Sequence, residues 1–194
     1  MFTELPSGLH VCRATAVRIE AAEHSEIYIQ KTTNSTQFPA VFYRPEDIII
    51  QHAGGNGELN GCMNRSIRTM FDDDNAPYSY MVLGEVTSAP RLWSSYPPHH
   101  HPQPEAYFYR FSDPRGFGFG FDGEEVRRTT HNSLLFVSND GTHEQVTAPG
   151  YAVCYVWGIL HLPGNRWIKT RIDDPTHVWL RDPDVSILSP EDIK

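Results

Sequence analysis

The sequence predicts an all-β protein built on an antiparallel barrel or sandwich over residues 78–180. Three observations carry that expectation. Aromatic residues make up 12% of the chain, and 14 Gly and 15 Pro punctuate it, a combination that favours short strands joined by turns. From Tyr78 onward large apolar residues recur with period two, the spacing of a half-buried strand. Helical periodicity is weak, and the helix-like tail "SPEDIK" is too short to matter.

Taken in order, "VCRATAVRIEA" and "SEIYIQK" both alternate and are expected to pair as antiparallel strands joined by "AAEHS". Pro45-Glu46-Asp47 reads as a turn, Ile48–Gln51 as a short strand, and the glycine cluster from Gly54 to Gly61 as a flexible connector. "YSYMVLGEVTS" and "EAYFYRF" read as strands, with Glu105, Tyr107 and Tyr109 on one face and Arg110 on the other. In "DPRGFGFGFDG" Phe117, Phe119 and Phe121 fall on one sheet face with glycines between them. Three further strands follow around the turn signals "NDG" and "APG". The resulting organisation is a β-layer over 1–55, a connector over 56–77 and a barrel over 78–194.

Bulk properties remove several function classes. A formal net charge of −8 leaves no basic stripe for phosphates, so nucleic acid is not expected as a partner. Cys12, Cys62 and Cys154 are too few and too scattered for a disulfide framework or a cysteine zinc site, and Cys154 reads as a buried small hydrophobe. The sequence starts with no basic segment followed by an apolar one, and no apolar run is long enough to span a membrane. A soluble cytoplasmic protein is the expectation.

The chemistry concentrates in "WSSYPPHHHPQPEAYFYRF", residues 93–111. Residues two apart on a strand share a face with Cβ atoms ~6–7 Å apart. His99 and His101 therefore point one way and His100 the other, while Glu105 opens the next strand. Two imidazoles and a carboxylate converging there suit a first-row divalent cation, and ligand type alone does not choose among Zn, Mn, Fe, Ni and Co. A fourth ligand must come from elsewhere in the chain. His143, after the tight turn in "NDGTHEQV", is the leading candidate, whereas His10, His24, His52 and His131 read as surface or structural.

The pattern His-x-His-x3-Glu with a distant His after a Gly turn resembles the two cupin motifs. "LGEVTSAPRLWSSYPPHHHPQPEAYFYRF", "GFGF", "APGYAVCYVWGI" and "DDPTHVWL" narrow the resemblance to the 5-deoxy-glucuronate isomerase family of inositol catabolism, over about 25–180. The 4-deoxy-5-hexulose-uronate ketol-isomerases resemble the chain less closely. The resemblance implies a cupin-type jelly-roll barrel with a second, N-terminal cupin half, here truncated. It implies a divalent metal, zinc before Mn, Fe, Ni or Co, on His99, His101, Glu105 and His143. It also implies an aldose–ketose isomerisation, here of 5-deoxy-D-glucuronate to 5-dehydro-2-deoxy-D-gluconate. Two departures are visible. "PQP" replaces a longer insertion between the second His and the Glu, and the segment Ser138–His143 keeps the family's Gly and His but lacks its Arg and Tyr.

On that reading proton transfer falls to Tyr107, to His161, or to Glu105 if it detaches from the metal, with core packing as the competing role for the tyrosines and a plain surface position as that for His161. Tyr109 and Gln145 would wall the cavity, and Arg166 would meet the substrate carboxylate. Asp174 and His177 would brace the barrel. The competing functions are a non-catalytic sugar-acid-binding or regulatory cupin and a metal-dependent dioxygenase. Exposed strand edges in the shortened first half predict a homodimer or higher homo-oligomer.

Overall fold

The computed structural model describes residues 1–138 and 140–194. Its strands, in chain order, are β1 (Gly8–His10), β2 (Val41–Tyr43), β3 (Ile49–Ala53), β4 (Arg65–Phe71), β5 (Met81–Ser88), β6 (Trp93–Ser94) and β7 (His99–His100). They continue with β8 (Glu105–Phe111), β9 (Phe117–Asp122), β10 (Glu125–Thr130), β11 (Leu134–Val137), β12 (Gln145–Thr147), β13 (Val153–Leu160) and β14 (Ile172–Asp173). Among the described residues the helical structure is short 3-10 turns only. The protein is all-β and cupin-like.

Two sheets carry the architecture. One runs β11-β8-β13-β5-β4-β3 and the other β10-β9-β12-β6, with antiparallel pairing throughout. The period-two pattern of β8 becomes two faces, with Glu105, Tyr107, Tyr109 and Phe111 buried and the residues between them less so. Register places Tyr107 opposite Trp157 and Tyr109 opposite Tyr155 on β13. These residues pack with Val82, Val86, Leu135, Val137 and Ile159 as the main core, each large side chain contributing roughly 1.5–3 kcal/mol of burial. Polar bonds tie one sheet to the other across that core. Tyr155 Oη donates to Ser94 Oγ at 2.9 Å, and Tyr109 Oη donates to Gln145 Oε1.

The "GFGFGF" run sits on β9 with its glycines inward and its phenyl rings outward. A Cβ on Gly120 would lie 2.5 Å from Gln145 Oε1 and 2.9 Å from Tyr109 Oη. The glycine is what leaves room for that cross-sheet bond.

Two expectations fail in the N-terminal part. The antiparallel pair over residues 11–31 does not form, since residues 11–40 hold no strand. Instead β1 pairs with β2, and Val17, Ile19, Ile27 and Ile29 stay exposed. Alternation there specifies an extended chain but supplies no partner. The segment 56–77, expected as connector, contains the seven-residue strand β4, hydrogen-bonded between β3 and β5. Its Arg68 mimics a solvent-facing residue in sequence yet forms a buried ion pair with Glu85. The "NDG" turn includes Asn139, which lies outside the described residues. Cys154 is fully buried, as its apolar surroundings predict.

His10 locks β1 onto a second core of Tyr43, Ile48, Phe71, Ala76 and Met81. Its ring stacks on Phe71 at 4.2 Å and touches Phe38 and Tyr78, with Ser79 Oγ 3.5 Å from Nε2. Burial pushes its pKa down from 6.5 to about 4. The unfolded chain therefore takes up this proton first as the pH falls. The stabilisation is complete above about 6.5 and is lost as the pH drops through about 4, on the order of 3 kcal/mol in all. His10→Phe, which keeps the stack and removes the titration, is expected to flatten the loss of urea midpoint between about pH 7 and about pH 4. Equal pH dependence in the two proteins would contradict this role.

Candidate metal centre

The segment entering β8 folds so that successive odd-numbered residues face the barrel interior. His99, His101, Gln103 and Glu105 are all buried, while His100 turns outward and its Nδ1 lies 2.7 Å from Asp140 Oδ1. The C-terminal strand β14 pairs with β7, placing Asp173 opposite His99. Arg171 adds a bond to the Pro97 carbonyl at 2.6 Å, and the Asp174 N–H donates to the Pro98 carbonyl. The tail therefore braces the histidine segment from outside.

His143 reaches the same interior from the loop before β12. A Cβ on Gly141 would come within 2.4 Å of Asp122 Oδ1 and 2.7 Å of the Gly123 nitrogen, so the glycine permits the tight approach that aims His143 inward. Ligand atoms of His101, Glu105 and His143 all lie within 4.8 Å of one another, and all three residues are buried. His101 Nε2 is 3.1 Å from Glu105 Oε1, and His143 Nε2 is 3.9 Å from Glu105 Oε2. His99 stands on the same wall, its ring centroid 4.7 Å from that of His143, but outside the three-residue set.

The backbone fixes which nitrogen is free. His143 Nδ1 donates to the Gly141 carbonyl at 3.0 Å, and His99 Nδ1 donates to the Ser95 carbonyl at 3.0 Å. With the hydrogen on Nδ1, Nε2 is the nitrogen left for a ligand in each ring, and that of His143 points toward Glu105 Oε2 at 3.9 Å, the arrangement that metal-ligating imidazoles use. Burial first, then His143 and Arg171, pushes His99 down to about 2, so its ring is neutral near neutrality. Neutral imidazoles and one carboxylate are the donor set of a divalent first-row cation. Donors of one such ion lie ~3–3.5 Å apart for bonds of ~2.0–2.2 Å, and the His101–Glu105 separation falls in that range. The residues fit a metal.

Other expected site residues are distributed differently. Tyr107 is buried with its ring 6.3 Å from His143 and 5.5 Å from Tyr155, so it belongs to both core and site wall. Tyr109 and Gln145 satisfy each other, and Gln145 Nε2 donates to the His143 carbonyl at 2.9 Å. They position His143. Burial, with Tyr155 and Glu105 nearby, holds the Tyr109 phenol well above its ordinary range. Arg166 is engaged elsewhere, its Nε bonded to Asp73 Oδ1 at 2.6 Å and a second nitrogen to the Ser79 carbonyl at 3.0 Å. His161 Nδ1 accepts the Trp167 N–H at 3.0 Å. That nitrogen is unavailable as a base.

Two residues near the centre were not singled out from sequence. Gln103 shares the inward face with His101 and Glu105, a position readable from period two alone. Trp167 packs its ring 6.1 Å from His101 and 6.1 Å from Trp157, and only the folded hairpin 162–167 reveals it. A cavity of about 1280 Å3 lies away from this centre, between residues 1–42 and the outer face of the six-stranded sheet at Glu85, Phe108 and Val156.

An antiparallel cupin-type barrel with inward imidazoles and a carboxylate defines a candidate metal-binding cupin. The chain matches the KduI/IolB family over residues 1–180 and belongs to that family. Among its relatives, the 5-deoxy-glucuronate isomerase of Halalkalibacterium halodurans is 24% identical over 196 residues, covering 93% of this chain and 69% of that protein. The 5-deoxy-glucuronate isomerase of Bacillus subtilis strain 168 is 25% identical over 188 residues, covering 89% and 66%. The chain thus spans about two thirds of the length of these curated relatives. The crystal structure of an IolB-like protein from Salmonella typhimurium superposes with a TM-score of 0.66 at 20% identity, covering 75% of this chain and 57% of that one. That likeness bears on the fold. No helix among the described residues is long and apolar enough to cross a membrane.

Proposed function

We propose that the protein is a metal-dependent aldose–ketose isomerase acting on an open-chain deoxy-uronic acid, 5-deoxy-D-glucuronate being the substrate and 5-dehydro-2-deoxy-D-gluconate the product. The observation that carries this is the buried set His101, Glu105 and His143 in a chain whose relatives are named 5-deoxy-glucuronate isomerases. We assign zinc to His99, His101, Glu105 and His143. A bound divalent cation would supply Lewis acidity toward the substrate carbonyl.

The reaction is redox-neutral within one molecule. A proton leaves the carbon beside the carbonyl and returns to the former carbonyl carbon, while the hydroxyl proton moves to the other oxygen. The chain must hold the acyclic substrate, exclude water and provide the carbon-bound proton's carrier. Tyr107, its ring 6.3 Å from that of His143, is our candidate for that transfer, and Glu105 could take it only by leaving the metal. The buried aromatic wall of Tyr107, Tyr155 and Trp157 keeps bulk water from the centre.

Incubating zinc-loaded, untagged protein with 5-deoxy-D-glucuronate and following carbon NMR should show the ketose. Absence of conversion under zinc, manganese and iron loading would sink the isomerase reading in favour of a binding protein. Oxygen consumption by the iron-loaded form would move it to a dioxygenase.

A further inference from the structure

We infer that Gln103 and His161 form a hydroxyl-binding pair beside the metal centre, which takes one hydroxyl of an open-chain polyhydroxy acid. The inference rests on the proposed isomerase site and adds the groups that recognise the substrate's uncharged portion.

The hairpin 162–167 brings the two side chains together. Glu105 lies opposite Ile159, and the Leu160 N–H donates to the Pro104 carbonyl at 3.0 Å. Gln103 and His161 follow just beyond these paired ends of β8 and β13, and both bond to that hairpin, Gln103 to Asn165 and His161 to Trp167. Both are at least nine-tenths buried, at 3% and 9% exposure. Gln103 is also one same-face step from His101 and from Glu105, so the pair adjoins the proposed ligands.

Each residue has one end fixed and one end free. Gln103 Nε2 donates to the Asn165 carbonyl at 3.0 Å and faces Asn165 Oδ1 at 3.2 Å. Two acceptors on that side identify it as the NH2 end and leave Oε1 as a bare acceptor. His161 Nδ1 accepts the Trp167 N–H at 3.0 Å, which puts the ring hydrogen of the neutral imidazole on Nε2. Burial and the neighbouring Arg166 lower its pKa and keep the ring neutral. Gln103 Oε1 and His161 Nε2 are both buried without any hydrogen-bond partner. Native proteins rarely leave such atoms unmatched. The hairpin 162–167, closed by the Leu162–Asn165 bridge, holds both fixed ends at once.

The free ends select the ligand. One N–H donor beside one carbonyl acceptor matches a hydroxyl, which accepts from the first and donates to the second. A carboxylate has no proton for Gln103 Oε1, and the nearby Arg166 is already bonded to Asp73 and the Ser79 carbonyl. The Trp167 ring beside His101 offers an apolar surface for the carbon chain between that hydroxyl and the metal centre.

The test uses Gln103→Met and His161→Phe, each in the whole metal-loaded protein. Tryptophan fluorescence, reporting through Trp167, is titrated with D-gluconate, with xylitol and with hexanoate. Saturable responses to gluconate and xylitol are expected, weakened about tenfold in either variant, with no variant-sensitive response to hexanoate. In turnover of 5-deoxy-D-glucuronate, KM should rise about tenfold with a smaller change in kcat. Because either variant alone suffices, misfolding of one leaves the other decisive. Wild-type turnover with KM and polyol response unchanged in a folded variant, or a wild-type protein silent to both polyols, overturns the inference and assigns the free atoms to a bound water. Variant-sensitive polyol binding without any turnover upholds the pair and sinks only the isomerase reading.

Discussion

Glu105→Ala and His101→Ala, each made without an affinity tag, are expected to lower bound divalent metal from roughly one ion per chain to under about a tenth of that. Elemental mass spectrometry after dialysis reads the result. Glu105 is central because its two oxygens face His101 and His143, at 3.1 and 3.9 Å. Removing it takes the only carboxylate from that set and leaves neutral rings without a counter-charge for the cation. His100→Ala is the matched control, since His100 faces outward toward Asp140 and should keep its metal. His99→Ala separates a four-residue site from a three-residue one. Its Nδ1 is pinned by the Ser95 carbonyl, so we expect its loss to weaken binding as well. Unchanged metal content in the Glu105 variant would defeat the metal assignment.

The centre was legible in sequence to the extent that period two governs it. Alternation from His99 to Phe111 gives the inward face, and it separates His100 from its neighbours. The same rule puts the glycines of 118 and 120 opposite the phenyl rings, although the reason for Gly120 appears only with Gln145 across from it. Pairing is what alternation cannot express. Residues 11–31 alternate as well as any strand yet find no ladder, whereas β4, RSIRTMF, does not alternate and still pairs on both sides inside a stretch read as connector. Arg166 misled for a related reason. Its partner Asp73 is 93 residues away, and nothing local distinguishes a cation already bonded from one awaiting substrate. Tyr109 and Gln145 were correctly placed on inward faces, but their mutual bond turns them from cavity wall into supports for His143.

The Arg68–Glu85 pair should show the other large effect, on stability. The two side chains are 11% and 7% exposed and 2.6 Å apart on the outer face of the six-stranded sheet, beneath the N-terminal segment. Arg68 also donates to the carbonyls of Met1 and Glu4, and burial with Glu85 alongside raises the pKa of the Cys154 thiol. Glu85→Leu would leave a buried guanidinium without its carboxylate, a change that typically costs about 3–5 kcal/mol. Arg68→Met combined with Glu85→Leu removes both charges and is expected to fall within about 1 kcal/mol of the parent, or above it. Urea unfolding of the single and double variants measures both numbers, and a single-variant loss under about 1 kcal/mol would mean that water reaches the pair. The double variant should differ from the parent in another respect. Without Arg68 the carbonyls of Met1 and Glu4 lose their donor, so limited proteolysis within residues 1–40 should accelerate even where global stability is restored. Equal proteolysis would show that the N-terminal segment is held by His10 and its aromatic neighbours alone.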